Sequence, residues 1–462
     1  MTTPRWRALG LALVLIAALA SCGRSGDQES GNEDDGGQQP SEAASGDSRI
    51  ANGEFGDLGA VCQDGEPSGA SETGLTDSEV HVGALTDKGS DVRPGLNKEM
   101  YDTAVAFADW CNEHGGINGR DLVVDDLDAR LTEYGQRIEE ACQNDFFLVG
   151  GGAVFDDADN GARVACGLPN IAGYVVTPDA RVADLQVQPV PNPVQQFPVQ
   201  QYHAMQAQYP DATNYGVLWV DLAGVQTVHA QLTEALTTLG YDVVYDQTYA
   251  PIGETGWRNF VQNMRDQGVQ GMELIGEPEN MTALLGAMQT EGWYPDFITM
   301  QPNMYDQKFE DEASASAGDG NIFLRSAFPT FDMTDDNPAM ADYLELMDTY
   351  NPDGKYPALL GAQALSGWLL FARAAVACGD DLSRQCVLDG ASATTDWTAG
   401  GLHAPSQPGN SEAIRCSAII QFTSDGFRYD EQITNPDDGI FNCSDDNVLE
   451  LTGDYGVTPP EG

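Results

Sequence analysis

The sequence predicts an α/β protein of two similar lobes, each a doubly wound parallel sheet. Strand-like runs alternate with helical runs of roughly 10–17 residues, the pattern of βαβ units. A Pro/Gln-rich stretch from Gln186 to Pro198 interrupts that alternation like a crossover, and the alternation then restarts. Two lobes joined by crossovers leave a cleft between them, and open parallel sheets bind ligands outside the carboxyl ends of their strands.

Order is expected to begin at Glu79, where EVHVGAL alternates Val80, Val82 and Ala84 as a strand does. The next run, KEMYDTAVAFADWCNEH, sets Met100, Ala104, Phe107, Ala108 and Cys111 on one helical face and stops at Gly115-Gly116. DLVVDDL is a second strand, followed by a helix over 132–143, the strand FFLVG, a helix from near Asp157, and a short strand before Tyr174. In the second lobe NYGVLWV, YDVVYDQTYA, GMELIG and DFITM are strands. AGVQTVHAQLTEALTTLG, WRNFVQNMRDQG and PENMTALLGAMQTEGW are the helices between them. After NIFLRSA come helices over 338–350 and 357–377 and a late strand, CSAIIQF.

The amino terminus indicates an address outside the cytoplasm. Arg5 and Arg7 precede the apolar run LALVLIAALASC, which is too short for a permanent membrane span and ends in Leu19-Ala20-Ser21-Cys22. This is the signature of a bacterial lipoprotein signal, so residues 1–21 are expected to be removed and Cys22 lipidated. Residues 22–78 are rich in Gly, Ser, Asp, Glu and Gln and are expected to form a flexible acidic stalk. The chain carries 72 acidic and 21 basic residues among 462, a net charge of −51. That field excludes nucleic acid and anionic membrane surfaces as partners, and an anionic ligand would need local compensation.

Eight cysteines remain besides Cys22, an even number suited to four disulfides in an oxidising compartment. Cys378 and Cys386 close a short loop, and Cys416 with Cys443 would staple the last strand to a tail over 431–462. Cys62, Cys111, Cys142 and Cys166 are then left to join as Cys62–Cys111 and Cys142–Cys166, one of many possible pairings. No C-x-x-C occurs and the five histidines are scattered, so no metal is expected.

Catalytic signatures are missing: there is no G-x-S-x-G, P-loop, H-E-x-x-H or strand-linked G-x-G-x-x-G. No enzyme activity and no cofactor are expected. The order of VHVGALTDKG, NEHGGINGRDLVVDDLDAR, FFLVGGG and LPNIAG resembles the leucine/isoleucine/valine-binding family of solute receptors, type I periplasmic binding proteins that serve ABC importers. The shared features are Gly83-Ala84, Asn112 to Gly119, and an acid, Asp125 or Asp126, closing the second strand. The resemblance covers roughly residues 79–430. It implies three crossovers, near 187–195, 327–331 and 400–415. The first lobe would be 79–190 plus 328–405, and the second 191–327 plus 406–430. It also implies a monomer that works with an ABC permease and its ATPases and touches the membrane through its lipid anchor.

The strand-end rule nominates ligand contacts independently of the family: Thr86 and Asp87, the run Ala153–Asp157 with Phe155 and Asp156, and Tyr174 in the first lobe. In the second lobe it nominates Asp221, Glu277 and the Asn303-Met304-Tyr305 turn. Duller roles compete at each position: Asp156 and Asp221 can cap helices, Glu277 can sit at a helix start, and Phe155 and Tyr174 can be core aromatics. Family receptors for amino acids hold the carboxylate with hydroxyls after the third and fourth strands, and the ammonium with an acid of the second lobe. Here those places read Val154-Phe155-Asp156-Asp157, Tyr174-Val175-Val176 and Tyr305. The expected solute is therefore not a free aliphatic amino acid but something aromatic, amide-like or cationic. A ligand sensor working through a separate membrane partner is the alternative, and an extracellular hydrolase a more distant one.

Overall fold

In the computed structural model, which describes residues 48–456 apart from 70, 158–159, 380–381 and 438, the chain enters through a 3-10 turn at Ile50–Asn52. A small hairpin follows, β1 (Glu54–Phe55) and β2 (Gly59–Ala60). This entry corrects the expected stalk: its part from Ser48 to Cys62, and again Leu75, is packed onto the molecule. Low average hydropathy hid a few well-placed anchors. Ile50 and Phe55 are buried, Trp110 Nε1 donates to the Ile50 carbonyl at 2.8 Å, and Arg49 pairs with buried Asp342 at 2.7 Å. A disulfide joins Cys62 to Cys111. The signal segment and Cys22 lie outside the described residues.

The first sheet follows from β3 (Glu79–Thr86), α1 (Lys98–Glu113), β4 (Asp121–Asp128), α2 (Tyr134–Asn144), β5 (Phe147–Val149), α3 (Asn160–Ala165), β6 (Asn170–Ile171), α4 (Pro178–Arg181) and β7 (Gln186–Val187). Its order is β4-β3-β5-β6-β7, parallel throughout. The chain then crosses over through β8 (Gln196–Pro198) and α5 (Gln200–Gln208).

The second sheet begins with β9 (Asn214–Val220), α6 (Gln226–Thr238), β10 (Asp242–Tyr249), α7 (Trp257–Asp266), β11 (Gly271–Ile275), α8 (Pro278–Glu291), β12 (Phe297–Met300), α9 (Gln307–Ala313) and β13 (Ile322–Ser326). Every residue of β11 and β12 is buried, as expected of strands covered on both faces. The chain returns to the first sheet with α10 (Pro338–Tyr350), α11 (Leu359–Ala377) and α12 (Arg384–Ser392). It ends in the second with β14 (Cys416–Thr423), β15 (Gly426–Tyr429), α13 (Glu431–Thr434) and β16 (Asn442–Cys443), followed by β17 (Val448–Glu450) in a separate ribbon. The order β10-β9-β11-β12-β13-β14-β15 is parallel up to β13 and antiparallel beyond, and β17 pairs with β8.

α11 is long and apolar enough to cross a membrane by composition, but it packs against α1, α12, β5 and β6. It is apolar on all sides because it is buried on nearly all sides. Three more disulfides tie Cys142 to Cys166, Cys378 to Cys386 and Cys416 to Cys443.

Both sheets share one order, with the second strand outside the first and the third on its other side. The direction of winding therefore reverses between β3 and β5 in one sheet and between β9 and β11 in the other. Loops leaving the carboxyl ends of strands at such a reversal cannot fill the crevice between them, so the crevice stays open for a ligand.

Candidate ligand-binding cleft

The two reversals face one cleft. One part, of empty volume ≈ 750 Å³ including the portion open to solvent, is lined by Arg93, Asn97 and Val154 of the first lobe and by Val225, Gly276 and Glu277 of the second. The other part, ≈ 1100 Å³ on the same measure, is lined by Arg181, Asn192, Leu360 and Gln363, and by Phe197, Tyr202, Gln301 and Arg325. Tyr174, Val228, Gln301, Asn303 and Leu360 border both parts, so they form one continuous groove.

Glycine permits close packing within each wall. Gly276 leaves β11 with φ 153°, and a Cβ there would lie 1.8 Å from the Tyr249 hydroxyl. A Cβ on Gly173 would lie 2.4 Å from the Gly150 carbonyl oxygen.

In the first part the charges satisfy one another across the cleft. Arg93, on the loop after β3, binds Glu277 and reaches Glu279 with Nη2 at 2.8 Å. Lys355 pairs with Glu99 of α1 at 2.9 Å and with Asp306 of the second lobe at 3.0 Å. Asp306 also caps α9, accepting from the Phe309 N–H at 2.8 Å. Burial alone would lower the Arg93 and Lys355 pKa values, but the facing carboxylates raise both. Burial raises the Glu277 pKa, with Arg93 opposing it.

In the second part the charged lining residues are two arginines, and no Asp or Glu is among the lining residues. Arg181 closes α4 and donates from Nη1 to Gln231 Oε1 at 3.0 Å, while its buried Nε has no partner. Burial lowers its pKa. Arg325 lies on β13. Its backbone N–H is bound by Gln201, yet its guanidinium makes no ion pair among the described residues, and burial lowers its pKa to about 10. Glu273 on β11 is spent elsewhere: it is fully buried and accepts from Tyr202 (2.7 Å), Thr299 (2.6 Å) and Gln301.

Of the residues nominated from the sequence, Tyr174 and Glu277 line the groove. Asn303 of the nominated turn lines it too, fixed by its donation to the Gly276 carbonyl at 2.9 Å. Thr86 and Asp87 are buried at the end of β3, and Asp87 accepts from the Leu131 N–H at 2.6 Å and the Val154 N–H at 2.8 Å. Asp156 holds the loop after β6, accepting from the Val176 and Thr177 N–H groups (2.7 and 2.9 Å) and from the Thr177 hydroxyl (2.6 Å). Burial still pushes its pKa up to about 6. Phe155 faces a separate recess beside Ala223 and Gly224, and Asp221 is exposed.

Tyr305 is 3% exposed, stacked on Phe331 with centroids 4.6 Å apart and accepting from the Phe331 N–H at 2.7 Å. It is a core residue because the chain turns inward at the Pro302–Met304 3-10 turn. Sequence reasoning missed Arg93, Arg181, Arg325 and Lys355. One signal existed for Arg325: a lone cation inside the apolar run NIFLRSA of a strongly acidic chain.

Comparison with known proteins agrees with this architecture. The family model described as periplasmic binding protein matches residues 79–427, more than half of the chain. No curated protein sequence matches. Among solved structures, the fatty acid ABC transporter substrate-binding protein from Thermomonospora curvata aligns with a TM-score of 0.66 at 17% identity, over 79% of this chain and 94% of its own. The branched-chain amino acid transporter substrate-binding protein LivJ from Streptococcus pneumoniae, in complex with isoleucine, aligns with a TM-score of 0.62 at 16% identity, over 76% and 99%. An extracellular ligand-binding receptor from Rhodopseudomonas palustris aligns at 0.63 and 14%, over 76% and 100%. At such identities the structural likeness speaks for the fold, and the family match for kinship. The chain belongs to the periplasmic binding protein family, extracytoplasmic proteins of type I fold that bind small-molecule solutes and work with ABC transporters.

Proposed function

We propose that this chain is a lipid-anchored receptor that clamps one small solute between its lobes and hands it, unchanged, to an ABC import permease and its ATPases. The observation that carries the reading is the groove itself: both winding reversals open onto it, and Arg93 and Lys355 join its two walls. Closure of such lobes is a hinge motion at the crossovers, with the ligand completing contacts on both sides. The lipid on Cys22 would keep the receptor at the outer face of the membrane, raising its concentration near the permease. The nearest Ser–His contact to a hydrolytic pair, Ser366 Oγ to His403 Nε2 at 2.8 Å, is sealed in the core, which favours capture over turnover.

The solute is not a simple aliphatic amino acid. An ammonium group needs a free carboxylate, but Glu277 is held by Arg93 and Asp306 by Lys355. Solution scattering with and without ligand tests the clamp: a smaller radius of gyration is expected on binding, and no change with any bound solute would refute it. Tight calorimetric binding of leucine or valine would discard the solute restriction. Replacing Cys22 by Ala should release the protein into the medium with its binding intact, and retention at the membrane would contradict the anchor.

A further inference from the structure

The chain has 21 basic residues against 72 acidic ones, so a basic residue without an acidic partner stands out. The groove holds two. Arg181 and Arg325 approach the same cavity from opposite lobes, and no carboxylate lines that part of it. The first two turns of α11 supply Leu359, Leu360 and Gln363 to the same cavity. They bring the positive end of a 19-residue helix to the two guanidinium groups. Asp156 acts on Arg181 without pairing with it, and Arg325 makes no ion pair among the described residues, so neither charge is matched within the cavity and an anion would complete the arrangement. The rest of the lining mixes side-chain amides, Gln231, Gln301 and Gln363 among them, with a face of Tyr174, Phe197, Val228 and Phe328, and that face suits an anion with an apolar body.

We propose that the solute is an organic carboxylate with an apolar body and no ammonium group, its carboxylate gripped between Arg181 of the first lobe and Arg325 of the second. The proposal rests on the receptor reading above and narrows its ligand. It replaces the cationic class expected from the sequence, because the unpaired charge in the groove is positive. A planar guanidinium matches a carboxylate with two parallel hydrogen bonds, so two of them on separate lobes select an anion and reward closure together.

The test uses matched probes with the full chain: benzoate, benzamide and benzylamine, then octanoate, octanamide and octylamine, with leucine and inorganic sulfate beside them. Calorimetry should show a carboxylate of at least one series binding ten or more times tighter than its amide, with no measurable binding of its amine. Arg325→Gln and Arg181→Gln should each weaken that carboxylate tenfold or more. The wild-type probe series stands even if the Arg181 variant folds poorly. Amides or amines that bind as tightly as carboxylates overturn the proposal, as does undiminished carboxylate affinity in the Arg325 variant. Sulfate binding as tightly as benzoate and octanoate overturns the apolar body. Leucine or the amines binding with compaction while both carboxylates fail removes the anion and leaves the receptor standing. No compaction with any probe counts against both.

Discussion

The two parts of the groove treat charge in opposite ways. Where β3 and β11 end, Arg93 and Lys355 are matched by Glu277, Glu279, Glu99 and Asp306, and the matches at Arg93 and at Lys355–Asp306 run from lobe to lobe. Where α4 and β13 end, Arg181 hydrogen-bonds a neutral partner, with Asp156 acting on it only at longer range, and Arg325 makes no ion pair among the described residues. The first arrangement lowers the cost of bringing the two walls together but does not by itself complete the closed state. The second is complete only when something else arrives. A receptor needs both, because closure that ligand alone stabilised would spend much of the ligand's affinity on closing.

The largest expected effect comes from breaking the matched part. Arg93→Gln leaves Glu277 facing the cleft without its cation and removes a tie between lobes. Exposed ion pairs are worth little and truncated buried ones about 3–5 kcal/mol, so a half-buried pair implies about 2 kcal/mol. That corresponds to roughly thirtyfold weaker solute binding, with a larger radius of gyration in the free protein. Unchanged affinity and unchanged dimensions would show that the matched part is ornament on a preformed cavity.

Much of the fold was legible in the sequence, and the site was legible only in part. Alternation of βα units survives averaging over a window, so β3–β6 and β9–β12 stand close to where period and turn signals put them, whereas β7 lies in the Pro/Gln-rich stretch read as a crossover. The packed entry from Ser48 escaped because Ile50, Phe55 and Val61 are too dispersed among polar residues to leave a period. Strand ends pointed to Tyr174 and Glu277, which do line the groove. The same rule offered Tyr305 and Asp156. A strand end says where a side chain starts, while the following turn decides whether it faces cavity or core. Arg181 and Arg325 depend on which carboxylates are absent around them, and absence across two lobes is a property of the assembled molecule.

Asp156 sharpens the contrast, being a buried carboxylate hydrogen-bonded to neutral donors, with Arg181 acting on it only at longer range. Burial lifts its pKa from 3.8 to about 6. A raised acid pKa means the folded state binds the proton more tightly than the unfolded chain does. Its contribution is therefore fully present below pH 3.8 and is lost as pH rises through about 6. Lowering the pH from 7 to 5 should add about 1 kcal/mol of stability through this group. Many other carboxylates titrate nearby, so the useful quantity is the wild-type melting curve minus that of Asp156→Asn across this range. A difference that does not vary with pH would mean that the hydrogen bonds to Val176 and Thr177 already cancel the cost of burial.

The smallest effect bears most directly on the unmatched part. If Arg325 has no counter-charge in the free protein, its guanidinium is a cost that the fold carries until ligand binds. Arg325→Gln removes the charge and keeps much of the stem, so the unliganded variant should be as stable as the wild type or more stable by about 1 kcal/mol at most. In a chain of this length that is roughly 1–2 °C in melting temperature. Arg93→Gln, at the matched part, should lower the same melting temperature. Opposite signs for two Arg→Gln changes in one groove cannot arise from a general loss of packing, since both truncate the same side chain. A fall of several degrees for Arg325→Gln would show that its guanidinium is already engaged in the free protein, and the distinction between the two parts of the groove would dissolve.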